Sequence, residues 1–431
     1  MNLIAYLLKS RGLVNSMQRL PTIATRFGVS TAKMDRALNR YVDIANAYGT
    51  VPTLAVTANL IERHPRVFER LSERGAELAI HGWVHTDYRA LDADQQRAHI
   101  KRGLAAFAQR GIPVEGFRCP YVRWNEDSIT TAKELGLQYG SNRTVAWDVV
   151  PTDDGISQRA LEAYRKGLRL YGSSEAASIV SLPSLVNGLL DLPASLPDDE
   201  ALVDRLRTTP ERREQIWRGI LDEVYALGEM FVLILHHERL ALCRSALEAV
   251  LTHTQGRQPH VWLASLAEIS AWWRRRAAFR LQIDLTAEGT YRIIAPDDPD
   301  IAVVARGVDG GAALRPWFGD YQMARGSHFS VRTPKRPAIS VDEDASPALV
   351  QFLADEGYVV ERGAGDCSLH LGGWQAFEDT GKRAVMAAID VSDAPLVRIW
   401  RWPRGARCAM SLTGDVDSMT IVDFIRRPLE V

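Results

Sequence analysis

Residues at four points of the sequence, histidines or acids at three of them and an arginine at the other, have the types and the spacing that metal-assisted chemistry needs. In "ELAIHGWVHTDY", His81 and His85 follow directly on an apolar run. Imidazoles four residues apart lie on one face if the segment turns into a helix, close enough to share a metal ion. In "GFRCPYVRWNED" a proline fixes the backbone after Arg118, so a guanidinium and the amide of Tyr121 stand at a strand end. In "FVLILHHERL" apolar residues lead to His236 and His237 at another strand exit. In "SLTGDVDSMTI" an apolar run ends in Asp415 and Asp417, which on a strand point to the same side while Val416 faces the other way. Each pattern also has a plainer reading: two polar residues at a loop, a surface arginine in a turn, a hydrogen-bonded surface histidine. His64, His99, His253, His260, His328 and His370 lack such context and read as structural.

The elements that must position these residues alternate regularly up to about residue 280. "TVPTLAVTA", "AELAIHG", "VEGFRCPY", "LQYGSNR" and "EMFVLILHHE" read as strands. Between them "HPRVFERLSERG", "DADQQRAHIKRGLAAFAQRG", "NEDSITTAKELG" and "PERREQIWRGILDEVYALG" read as helices, and "SLAEISAWWRRRAAF" closes the run. Such alternation is what a parallel β/α architecture produces. From "RLQIDLTAEGTYRII" onward, alternating residues and the Glu288-Gly289 turn predict antiparallel strands, and "KRPAISVDEDASPALVQFLADEGYVVERG" reads as strand, helix, strand. The expected organisation is therefore residues 1–280 as a β/α domain, 281–395 as an accessory β-rich/α+β module, and 396–431 as a return strand.

Composition narrows the class of partner. The chain has 431 residues, 46% hydrophobic and 24% charged, which suits an ordinary globular protein with ample core. A net charge of -1 gives no electrostatic case for nucleic acid or an anionic membrane as main partner. Cys119, Cys243, Cys367 and Cys408 form no C-x-x-C pair and read as free thiols of a reducing compartment. No segment approaches the roughly 18 apolar residues of a membrane span. "MNLIAYLLKSRGLV" is too short for a signal peptide, so a cytoplasmic protein is expected, with that segment suited at most to peripheral membrane contact.

The set "AELAIHGWVH", "GFRCPY" and "VLILHHE", in that order, resembles the polysaccharide deacetylases of the NodB-homology type over roughly residues 20 to 275. The resemblance implies an α/β fold, a distorted (β/α) barrel with fewer closed strands than the eightfold one. It also implies a divalent metal, zinc first, held by one aspartate and two histidines, and hydrolysis of N-acetyl groups on sugars. The family's first barrel strand ends in an acidic pair, yet the corresponding segment here, "LPTIATRFGVS", contains no acid. "ARCAMSLTGDVDSMTI" matches the missing strand, so the barrel is expected to be circularly permuted, its last strand supplying Asp415 and Asp417.

By that resemblance Asp417, His81 and His85 are the metal ligands and Asp415 the general base. Arg118 holds that base ionised, the Tyr121 amide helps bind the oxyanion, and His236 protonates the departing amine. His237 is the poorer candidate for that last role, and Trp147 with Asp148 in "VAWDVV" loosely matches the motif that tunes the acid histidine. The implied partner is an N-acetylated sugar or glycan precursor, nucleotide-linked or lipid-linked. A homodimer that exchanges its tails is the alternative to closure within one chain. Three other functions fit parts of the pattern. D-x-D after a strand also serves glycosyltransferases, although no glycine-rich phosphate loop accompanies it here. A barrel whose acids do not dock would be an inactive carbohydrate-binding or scaffold protein. Related amidohydrolases cleave other non-peptide C–N bonds. The aromatic and basic stretch "GGAALRPWFGDYQMARGSHFSVRTP" reads as core edge rather than sugar groove, and the tryptophans of "RIWRWP" as packing residues.

Overall fold

A central parallel sheet, curled into a half-barrel, organises the computed structural model, which describes residues 26–151, 155–363, 365–427 and 430. The opening segment Met1–Val14 and most of "LPTIATRFGVS" lie outside the described residues. The sheet strands are β1 (Thr53–Val56), β2 (Glu77–Ile80), β3 (Gly116–Phe117), β4 (Tyr139–Gly140), β5 (Leu189–Asp191), β6 (Met230–Ile234), β7 (Val261–Leu263) and β8 (Cys408–Val416). They run in the order β6-β8-β1-β2-β3-β4-β5, with β7 also paired to β8 and an antiparallel strand, Ser184–Val186, at the β5 edge. The parallel α/β architecture expected from the alternation is thus what the chain adopts, its sheet curled as the resemblance to a barrel family implies.

The helices around the sheet are α1 (Ala32–Ala47), α2 (Pro65–Glu73), α3 (Ala93–Ala108), α4 (Glu126–Glu134), α5 (Pro210–Leu227), α6 (Leu240–Gln255) and α7 (Leu266–Arg276), of which α2, α3, α4, α5 and α7 fall on the segments read as helices. Local chemistry sets several of their ends. Asp92 with Gln95, Asn125 with Ser128 and Ser265 with Glu268 form reciprocal capping boxes at the starts of α3, α4 and α7.

β8 is an interior strand of the sheet, bonded to β6, β7 and β1, and its sequence says why. All nine residues, Cys408 to Val416, are buried, as a parallel strand covered on both faces requires. Ala409–Thr413 pairs with Met230–Ile234 of β6, while Thr413–Val416 pairs with Thr53–Val56 of β1. β8 therefore docks within its own chain, between strands drawn from far earlier in the sequence. All these strands point the same way, so their exits gather at one mouth.

The remaining strands form smaller sheets. Gln282–Ala287 and Thr290–Ile294 make the expected hairpin around Gly289, which takes a left-handed backbone (φ 63°) that glycine adopts without steric cost. Arg336–Val341, the helix Pro347–Asp355 and Val360–Arg362 make the expected strand, helix, strand unit. Expected as part of the return strand, Leu396–Ile399 instead pairs antiparallel with Val303–Arg306, so the return to the barrel begins at Cys408 rather than at 396. The reason is side-chain chemistry in the crossing segment. Arg401 and Trp402 donate to the carbonyl of Gly228, and Arg407 to that of Ala226, which satisfies the open C-terminal end of α5. Trp400 and Trp402 are both buried, as packing residues are.

Candidate functional site

The site is built where β2, β3, β6 and β8 end. β2 stops at Ile80, and the amide of His81 still bonds to Val56 O on β1 (2.8 Å), so the His81 side chain starts from a fixed backbone. Its Nδ1 donates to the carbonyl of Arg118 (2.9 Å), which leaves the Nε2 lone pair free to bind a cation. His85 follows in the loop, its ring centroid 5.2 Å from that of His81 and edge-on to Tyr121 at 4.3 Å. Tyr121 and Val122 have left-handed backbones (φ 61° and 48°), a strained turn for residues with side chains.

From β8, Asp417 Oδ1 lies 3.5 Å from His81 Nε2 and Asp417 Oδ2 lies 3.4 Å from His85 Nε2. The three residues offer ligand atoms that all fall within 4.8 Å of one another. His81 Nε2 and Asp417 Oδ1 are buried without a hydrogen-bond partner. Two unpartnered buried acceptors facing each other are costly unless a cation sits between them, so this donor set fits a metal ion. Burial pulls His81 down to about 4, an effect Asp415 only partly offsets, and it holds His85 well below its usual value. Both imidazoles are neutral at pH 7, the form that ligates metal.

Asp415 stands two residues back on the same side of β8. Arg118, itself buried, donates to Asp415 Oδ1 (2.8 Å) and to Thr413 Oγ1 (3.0 Å), while its other nitrogens bond to Ser141 O and Ser141 Oγ. Burial pushes the Asp415 carboxyl up, but Arg118, with His81 and His236, outweighs it and holds the group at about 2. Asp415 is therefore a fixed carboxylate.

β6 delivers the other histidine pair, and the two members differ. His236 Nδ1 bonds to Asp199 Oδ1 (2.8 Å), and the His236 amide donates to Asp199 Oδ2 (3.0 Å). Burial opposes its charge, but Asp199 lifts it to about 9. His236 is near enough to His81, His85 and Asp415 to influence their titration. His237 points away into the core, against Gly414 and edge-on to Tyr41, and burial pulls it down to about 4.

Asp199 escaped the sequence reading. The pair Asp198-Asp199 in "LPDDE" follows the short strand Ala194–Leu196, and that acid pair at a strand exit was the available signal. Asp199, not Asp148, is the carboxylate bonded to His236. Asp198, Asp199 and His236 could also be arranged around a cation by distance alone. His236 Nδ1 is already committed to Asp199, so the couple is better described as a hydrogen-bonded imidazole and carboxylate.

Residues 30–140 match a family model described as polysaccharide deacetylase. Over 135 residues the chain is 27% identical to a chitooligosaccharide deacetylase of Sinorhizobium fredii, which covers 29% of this chain and 60% of that protein. Over 91 residues it is 29% identical to a peptidoglycan deacetylase-like protein of Gibberella zeae, covering 21% of this chain and 27% of that one. Both matches thus span less than two thirds of the curated relatives. Among solved structures, a putative polysaccharide deacetylase from Mycobacterium smegmatis aligns with a TM-score of 0.44 at 20% identity, over 63% of this chain and 86% of that one. The deacetylase region matched by the family model carries His81, His85, Arg118 and Tyr121 but neither β6 nor β8. Among the described residues no helix is long and apolar enough to cross a membrane.

Proposed function

We propose that this protein is a metal-dependent hydrolase that removes N-acetyl groups from a sugar in a glycan or in its nucleotide-linked or lipid-linked precursor. The observation that carries the reading is the meeting of His81, His85 and Asp417, with buried unpartnered atoms facing one another beside a carboxylate fixed by Arg118. In this reading β8 supplies what the family places on its first strand, and the barrel order is entered at a permuted point.

His81, His85 and Asp417 would hold the metal, for which we assign zinc, since two imidazoles and one carboxylate leave positions open for water and substrate. When bound, such an ion polarises the acetyl carbonyl and makes the attacking water more acidic. Asp415 accepts the water's proton, and Arg118 keeps it ionised and aimed. Held at about 2, Asp415 is a weak base by itself, so its contribution is position as much as basicity. The main-chain amide of Tyr121 is the donor for the oxyanion. His236, protonated at neutral pH through Asp199, donates its Nε2 proton to the departing amine.

The test is zinc content by elemental analysis beside acetate release from N-acetylated chitooligosaccharides. We expect about one equivalent of zinc in the native protein, lost together with acetate release in Asp417→Asn. Failure of the native chain to bind zinc under replete conditions would remove the catalytic reading and leave a carbohydrate-binding protein in its place.

A further inference from the structure

The segment that follows β8 is tied to the barrel mouth by residues with no part in the reaction proposed above. Asp423 Oδ2 accepts from His64 Nε2 (3.0 Å), and Asp423 Oδ1 pairs with Arg63 (3.3 Å). Glu430 accepts from Asn59 Nδ2 (2.9 Å) and pairs with the same Arg63. Phe424 stacks on Phe27, and the Ile421 amide donates to Gly28 O (3.0 Å).

Between these anchors the Arg427 side chain, 8% exposed, lies on Asp417. Its Nη2 is 3.0 Å from Asp417 Oδ2, and its Nε donates to the Asp417 carbonyl (3.1 Å). The same Oδ2 is the oxygen that faces His85 Nε2. Tyr121, Glu238, Arg239, Glu430 and His85 are the other ionisable groups within its electrostatic reach. Burial makes this contact matter. A guanidinium and a divalent cation on one desolvated carboxylate repel each other with little water to screen them. Each also removes the other's reason to be there, because either one neutralises Asp417.

We propose that Arg427 and the divalent metal compete for Asp417, so that loading the site unseats the segment after β8 and seating that segment opposes loading. The inference rests on the metal-site reading above. It assigns the segment a regulatory contact rather than a catalytic one.

The experiment uses the full chain and two readouts. Zinc affinity is measured by competition with a chromophoric chelator for the native protein, Arg427→Gln and Arg427→Lys. Hydrogen exchange across residues 418–427 is followed in the native protein with and without zinc. Removing the opposing charge should tighten zinc binding in Arg427→Gln by at least about tenfold, with Arg427→Lys closer to native. Zinc should also speed exchange in residues 421–427 of the native chain. Weaker binding in Arg427→Gln would make Arg427 a clamp that orients a ligand, and would overturn the competition while leaving the metal site intact. Unchanged exchange on zinc binding would overturn it as well, even if a variant failed to fold. If neither native protein nor variants take up zinc, the metal-site reading has failed and this inference falls with it.

Discussion

The exits of β2 and β6 each carry two histidines, and His81 and His236 face the same region, yet the chemistry these two offer is opposite. At β2, His81 is buried with a main-chain carbonyl on Nδ1, and burial dominates, so it is neutral with a free lone pair. At β6, His236 is partly buried against a carboxylate, and Asp199 overrides the cost of desolvation, so it is charged and a proton donor. Residue type is shared; the partner on Nδ1 differs. A carbonyl there makes a ligand, and a carboxylate there makes an acid.

Replacing one histidine at each exit gives the largest effects and tests the comparison directly. His81→Ala should lose its zinc and with it acetate release. His236→Ala should keep its zinc while turnover falls by roughly 10²–10⁴. Elemental analysis beside initial rates checks both, and loss of zinc from the β6 variant would erase the distinction.

A subtler change should move one exit toward the other. Only protonated His236 can donate, and its pKa is raised to about 9, so the rate should hold through neutral pH and fall as pH rises through about 9. Asp199→Asn removes the charge that raises it, and the alkaline limb should move down by roughly one to two pH units. A pH–rate profile reads this, with imidazole titration by NMR in chelated protein as the independent check. An unmoved alkaline limb would mean that another group sets it.

The smallest effect concerns the second histidine at β6. A Cβ at Gly414 would lie 2.5 Å from His237 Cε1 and 2.7 Å from Leu235 O, a backbone atom that cannot simply swing aside. Gly414→Ala should therefore cost about 1–3 kcal/mol of stability by denaturant titration, because β8 must shift against β6. A neutral result would mean that His237 is not wedged there, and that the contrast within the pair is weaker than the contacts indicate.

Much of this was readable in advance, for a local reason. Strand-helix alternation places His81, Arg118 and His236 at strand exits, since hydrophobic periodicity and capping residues depend on neighbours in sequence. The D-x-D spacing likewise puts Asp415 and Asp417 on one side of β8, because strand geometry repeats every two residues. Leu396–Ile399 was misplaced because an apolar strand does not name its partner; Val303–Arg306 supplies the open edge that claims it. Asp199 and Arg427 were missed because an acid after a short strand and an arginine near a helix carry no mark of what they will face.

The sequence by itself determined which residues could do chemistry and which side of each element they occupy. Only the tertiary structure decided what each became. β8 enters between β6 and β1, Arg118 fixes Asp415, Asp199 charges His236, and Arg427 reaches Asp417. Apart from Arg427 and Asp417, these partners are far apart along the chain. Protonation and metal affinity follow from distances and burial that exist only once those segments are packed together.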